Sequence, residues 1–327
     1  MKNNINNPFL LVPVGKDYIW GGDRLKYEYG KDFINLSPLA ETWECSTHSD
    51  GECIVGSGIF KGEKLSAILR RHPRFLGIDC KSDNGKLPIL IKLIDAKQDL
   101  SVQVHPTDDY AWKFENHQSG KSEMWYVLEA EEGASLVCGV NKNITAELIK
   151  QAAVNGYLNN YLNKINVRKG DAFFIKAGTI HAIGKGMVIA EIQQTSNLTY
   201  RLYDYNRIDK NGKKRLLHLD KAVSVAKLEP GTTAKLMKVR IYEPNICIEN
   251  LIKSKYFKVT KYIVNGRYHI NASEYSFKCL LVVEGAINLT SSEGFNCVVT
   301  KGETYFIPAS NITFDILGRG AFLVVMT

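Results

Sequence analysis

The stretch Val167-Arg-Lys-Gly170-Asp-Ala-Phe-Phe-Ile175-Lys-Ala-Gly178-Thr-Ile-His181 has a counterpart near the end of the chain, Val299-Thr-Lys-Gly302-Glu-Thr-Tyr-Phe-Ile307-Pro-Ala-Ser310-Asn-Ile-Thr313, at a constant offset of 132 residues. Each copy reads as a turn at glycine, a short apolar strand and a second turn. Upstream of each lies a similar strand-turn piece, Tyr126-Val-Leu-Glu-Ala130 and Leu281-Val-Val-Glu-Gly-Ala286. Duplication of one β unit follows. Around the two copies, most segments alternate apolar and polar residues in short runs rich in Val, Ile, Tyr and Phe, broken by Gly, Asn and Asp, the pattern of an all-β sandwich or barrel. Helical patterns fall at Glu63 to Arg71 and at Thr145 to Tyr161, the second with Thr145 as N-cap. The repeat divides the chain into an N-terminal unit, 1–238, carrying these helices, and a C-terminal unit, 239–327.

A chain of 327 residues with 45% hydrophobic content fills a sizeable core, and its 23% charged fraction argues against disorder. The longest apolar runs, such as Leu87 to Ile94, fall far short of a spanning helix of roughly 18–20 residues, so no membrane partner is expected. No export signal is visible in the Asn-rich start, and seven scattered cysteines without CxxC spacing read as reduced thiols of a cytoplasmic protein. The surplus of 42 Lys+Arg over 34 Asp+Glu favours an anionic partner, a phosphorylated metabolite before a nucleic acid. Lys210, Lys213, Lys214 and Arg215 flank Asn211-Gly212 and read as a solvated hairpin tip, so no nucleic-acid role is expected.

The repeat resembles the second motif of the cupin superfamily, with Gly170, Gly178 and His181 in place and Lys176 standing where proline is usual. The second copy keeps Gly302 and Pro308 but has Thr313 at the metal-binding histidine position. This implies a double cupin, two jelly-roll or barrel units, of which only the first is metal-competent. In Leu100-Ser-Val-Gln-Val-His-Pro106, strand alternation puts Ser101, Gln103 and His105 on one face. Three polar groups inside a small barrel need satisfying, and a metal does so. With Glu123 and His181 they make a mixed nitrogen and oxygen set suited to zinc or a similar divalent ion.

The Gln-x-His-Pro variant, the Glu of Lys121-Ser-Glu-Met-Trp-Tyr126, and Tyr200-Arg-Leu-Tyr-Asp-Tyr-Asn-Arg207 resemble the type I mannose-6-phosphate isomerases in their short bacterial form. The resemblance implies one zinc on Gln103, His105, Glu123 and His181, a sugar phosphate substrate, and aldose-ketose isomerisation through a cis-enediol. It implies Arg201 beside the reacting carbons, Lys92, Ser101 and Arg207 as phosphate or sugar contacts, and Glu191, ten residues before Arg201, as the proton shuttle, with Lys121 next. Lys92 also stands within the apolar run Pro88 to Ile94, where a buried lysine needs a partner, and a substrate phosphate would be one. Arg201 and Arg207 share strand parity, but six extended residues span about 20 Å, so the chain must curl or only one reaches the substrate. The alternative is a non-catalytic cupin that binds or senses sugar phosphates. A monomer or homodimer is expected.

Overall fold

The computed structural model describes residues 4–80, 84–208, 212–231 and 234–327. The site-bearing half is built on a six-stranded antiparallel sheet in the order Ala172–Ile175, Glu123–Ala130, Met187–Gln194, Ile89–Ala96, Glu41–Cys45 and Val14–Lys16. All eight residues of Ile89–Ala96 and of Met187–Gln194 are buried. Such continuous burial arises when both faces of a sheet are covered. One face sends Ile91, Leu93, Met124, Tyr126, Ala190 and Ile192 into a core shared with Phe257, Phe277, Leu281 and Phe306 of the C-terminal half. The other face carries Ile94, Trp125, Val127 and Ile189 toward a second sheet.

That second sheet has five strands, in the order Leu162–Asn166, Ser135–Val140, His181–Ile183, Val102–Val104 and Tyr200–Tyr203. The alternation read in Leu100 to Pro106 is what forms: Val102 and Val104 pack outward with Ile149, Ala152, Leu202 and Ala222, leaving the intervening positions for the cavity between the sheets. The outer layer includes two helices. Ala146–Val154 starts at Thr145, whose hydroxyl accepts from the Leu148 N–H at 3.2 Å, and Leu219–Val225 lies beside it. The other expected helix forms as Leu65–Arg71. The sheets face each other as a jelly roll and do not close into barrels. Among the described residues, no helix is long and apolar enough to cross a membrane.

The C-terminal half is a nine-stranded sheet that includes three strands of 14 residues, Lys258–Asn271, Lys278–Ser291 and Thr313–Met326. The duplicated unit recurs in register: Ile175 pairs with Glu123, and Ile307 pairs with Lys278. Gly170 and Gly302 both sit at positive φ, 87° and 91°, so the same turn opens each copy. Phe9–Val12, from the start of the chain, pairs with Thr304–Ile307 and lies within this C-terminal sheet. A buried ion pair also joins the halves: Lys31 Nζ lies 2.9 Å from Glu44 Oε2 and donates to the Gly302 carbonyl at 2.6 Å, while Thr304 and Thr42 donate to the Glu44 carboxylate.

Candidate active site

Two cross-strand rows face each other across the cavity. On the six-stranded sheet, register aligns Trp125, Glu191, Lys92 and Trp43, with Glu123 opposite Gln193. On the five-stranded sheet it aligns His181, Gln103 and Arg201. His105 lies just past the end of its strand, and its Nδ1 is 2.8 Å from the Leu198 carbonyl; His181 Nδ1 is 2.8 Å from the Thr179 carbonyl. A carbonyl only accepts, so each Nδ1 donates and each neutral ring presents its Nε2 lone pair. Those lone pairs point at Glu123: His105 Nε2 is 3.3 Å from Oε2 and His181 Nε2 is 3.4 Å from Oε1.

Burial, reinforced by Lys121, pushes His105 down to about 3, and burial also lowers His181, so both rings are neutral. For Glu123 burial works the other way, but the Lys121 ammonium beside it holds the carboxylate well below its usual range. Both Nε2 atoms and both Glu123 oxygens are buried without hydrogen-bond partners. One ligand atom from each of the three residues lies within 4.8 Å of the others, and lone pairs converging in this way repel one another unless a cation joins them. The residues present therefore fit a metal, with Gln103 on the cavity wall beside them.

The cavity, about 250 Å³, is lined by Glu41, Lys92, Lys121 and Glu191 on one side, by Ser101, Gln103 and Arg201 on the other, and by Tyr18, Trp20 and Arg215. Glu191 Oε2 accepts from the Trp125 indole N–H at 3.0 Å. Its Oε1 lies 3.3 Å from Lys92 Nζ and 3.7 Å from Lys121 Nζ, without hydrogen-bond geometry to either. Lys121 Nζ is 2.8 Å from Glu123 Oε2, so it bridges the lone-pair cluster and Glu191.

Comparison with known proteins bears on this arrangement. Residues 9–145 match the family described as phosphomannose isomerase type I, catalytic domain, and residues 247–327 match mannose-6-phosphate isomerase, cupin domain. A probable mannose-6-phosphate isomerase of Bacillus subtilis (strain 168) is 35% identical over 98% of this chain and 99% of its own length. The mannose-6-phosphate isomerase of Streptococcus mutans is 35% identical over 92% of each chain. The chain belongs to the mannose-6-phosphate isomerase family. A crystal structure of the Bacillus subtilis mannose 6-phosphate isomerase superposes with a TM-score of 0.89 at 32% identity, covering 97% of this chain and 99% of that one. A zinc-bound mannose 6-phosphate isomerase, 18% identical, shares the fold with a TM-score of 0.77 over 97% of this chain and 98% of that one.

Gln103, His105, Glu123, His181, Lys121, Glu191, Lys92, Ser101 and Arg201 come together in or against this one cavity. Arg207 does not line it. The strand Tyr200–Tyr203 ends, Tyr205 and Asn206 turn the chain at φ 55° and 54°, and the Arg207 guanidinium is tied to Asp204 and to the Asp99 carbonyl. Lys92 already has protein partners, Glu41 at 3.5 Å and Glu191 at 3.3 Å, which corrects the inference that a phosphate must balance it. Burial alone would lower its pKa, but these two carboxylates outweigh burial and raise it. Arg215 is also corrected: it is a cavity residue paired with Asp204, not part of a solvated tip, while Lys210 and Asn211 lie outside the described residues.

The residues sequence reasoning missed are Glu41 and Asp204, with Tyr18 stacked on Trp20 at 5.6 Å between ring centroids. His218 accepts the Arg201 backbone N–H at 3.2 Å. A sequence signal existed for Glu41, in Ala40-Glu-Thr-Trp-Glu44, but nothing in that stretch says which carboxylate faces inward.

Proposed function

We propose that the chain interconverts D-mannose 6-phosphate and D-fructose 6-phosphate using one zinc ion held by Gln103, His105, Glu123 and His181. The observation that carries this reading is the convergence of unpaired imidazole and carboxylate lone pairs beside a buried carboxylate and at the closed end of a cationic cavity. One carboxylate and three neutral ligands suit zinc. When bound, such an ion supplies a Lewis acid that polarises a substrate carbonyl and offsets the charge of an enediolate.

The rest is the work of side chains. Glu191, with Oε2 fixed by Trp125 and Oε1 free of hydrogen bonds, takes the proton from C2 and returns it to C1. Lys121, between Glu123 and Glu191, orients that carboxylate and is the second candidate for the proton. Lys92 holds Glu191 from the far side and meets the sugar. Arg201, kept in place by Ser101 and by the Leu216 carbonyl, lies along the enediolate. The two indoles, Trp20 and Trp125, keep bulk water from the reacting end. Within this proposal, 1–238 is the catalytic unit and 239–327 a unit without metal ligands.

The test is a coupled assay for fructose 6-phosphate formed from mannose 6-phosphate, on protein of known metal content. Turnover is expected to vanish on chelation and to return with zinc. No turnover from fully metal-loaded protein would overturn the proposal.

A further inference from the structure

The cationic end of the cavity has a construction that the lysine-rich end lacks. Exposure rises along the cavity, from side chains 0% exposed at Glu123 and 5% at Lys121 and Lys92 to 21% at Arg215, so the arginine end is the mouth. Arg215 donates from Nε to Asp204 Oδ2 at 2.7 Å and from one terminal nitrogen to Oδ1. Asp204 is itself buried and is gripped from the other side by Arg207. Arg201 donates from Nε to Ser101 Oγ at 3.3 Å and from Nη1 to the Leu216 carbonyl at 2.9 Å.

Each of the two cavity-lining guanidiniums thus keeps one terminal nitrogen without a hydrogen-bond partner among the described residues. Arg207 and Arg215 share the single carboxylate of Asp204, and Arg201 has neutral hydrogen-bond partners only, so positive charge is in excess at this corner. Arg201 is lowered from its ordinary pKa by burial and then by Arg215, the signature of two like charges held together. Paired guanidiniums of this kind match a phosphate dianion in charge and in fork geometry.

We propose that Arg215 seats the phosphate of the substrate at the mouth, the charge of the neighbouring Arg201 adding attraction, that Asp204 holds Arg215 in position, and that Arg207 anchors Asp204 and does not touch the ligand. This deepens the proposed function. With C1 and C2 at the lone-pair cluster, the phosphate on the far carbon of a hexose reaches toward the mouth. A contact this far from the reacting carbons binds substrate and transition state alike, so its loss is read in KM.

The test compares wild type with Arg215→Met and Arg215→Lys, all metal-loaded, by KM and kcat for mannose 6-phosphate and by calorimetric affinity for inorganic phosphate. Arg215→Met is expected to raise KM and weaken phosphate binding at least tenfold, with kcat changed less than threefold. Arg215→Lys, a point charge in place of a fork, should fall between the two and covers the case in which the methionine variant does not fold. KM and phosphate affinity within twofold of wild type in a folded variant would overturn the proposal. Arg215-dependent phosphate binding by a wild type that does not turn over mannose 6-phosphate would retain the anion seat and discard the isomerase reading.

Discussion

The two copies of the duplicated unit keep the same backbone register and differ at the positions that matter. Opposite Ile175 stands Glu123, and opposite Ile307 stands Lys278. His181 pairs with Gln103, whereas Thr313 pairs with Asn271 and donates to its side-chain oxygen at 3.0 Å. An ammonium thus occupies the place of the carboxylate, and a solvent-facing hydroxyl that of the imidazole. The fold tolerates either set. Reactivity in this architecture resides in a few inward side chains, and the second copy has been turned into a covering surface for the first.

The largest effect is expected at His181. Alanine there removes one of the converging lone pairs, so metal content should drop and kcat/KM should fall by on the order of 10³ or more, the worth of several kcal/mol of charge stabilisation. Retained metal and turnover would erase the contrast between the copies. Glu191→Gln sharpens it: metal content should stay, while kcat falls about 10²–10⁴-fold, as loss of a general base does. A variant with unchanged kcat would move the proton to Lys121.

In the second copy the expected effects are on stability alone. Burial, with Lys258 nearby, pushes Lys278 from 10.5 down to about 8, and its side chain is only 8% exposed. Below pH 8 both folded and unfolded chains carry the ammonium, and the native state bears its burial in full. Between pH 8 and 10.5 the native state releases its proton first, the unfolded state holds more protons, and this group makes stability rise with pH. Lys278→Met should lose that rise in thermal unfolding followed across the window, with isomerase activity unchanged. An identical pH profile in the variant would show that Lys278 is solvated. Thr313→Val, at an exposed position, should change stability by no more than about 0.5 kcal/mol in urea unfolding and leave metal content untouched.

How much of this was legible depended on whether the signal was local. The Gln103 and His105 alternation, the Thr145 cap and the turn-strand-turn within each copy of the repeat are local patterns, and each forms where the sequence put it. Lys92 was readable as a buried charge, but its partners Glu41 and Glu191 come from strands on either side, and only cross-strand pairing reveals them. Arg215 failed for the same reason: the residues before it are basic and polar, and Asp204, eleven residues earlier, draws it inward. The seven-residue helices Asp108–Phe114 and Leu219–Val225 were not legible, although Leu65–Arg71, of the same length, was.

Burial likewise separates structure from chemistry only when partners are counted. Lys31 and Glu44 are as buried as Glu123, yet the Glu44 carboxylate is hydrogen-bonded on both oxygens, by Thr42, Lys31 and Thr304. Glu123 has the Lys121 ammonium 2.8 Å from one oxygen but no well-formed hydrogen bond at either. The first arrangement is complete in itself; the second is complete only with something added.

The strand Phe9–Val12 sets a condition on how the chain is made. Its pairing partner, Phe306 opposite Phe9, lies far downstream in the chain. At roughly 5–20 residues per second, synthesis of the intervening chain takes on the order of 15–60 s, during which Phe9–Val12 has only the two-residue strand Ile54–Val55 to pair with. The outer face of the catalytic sheet waits for the same material. The strands of the C-terminal half must therefore be made before either half is sealed, and a nascent chain stalled short of them presents bare apolar surface to chaperones and proteases.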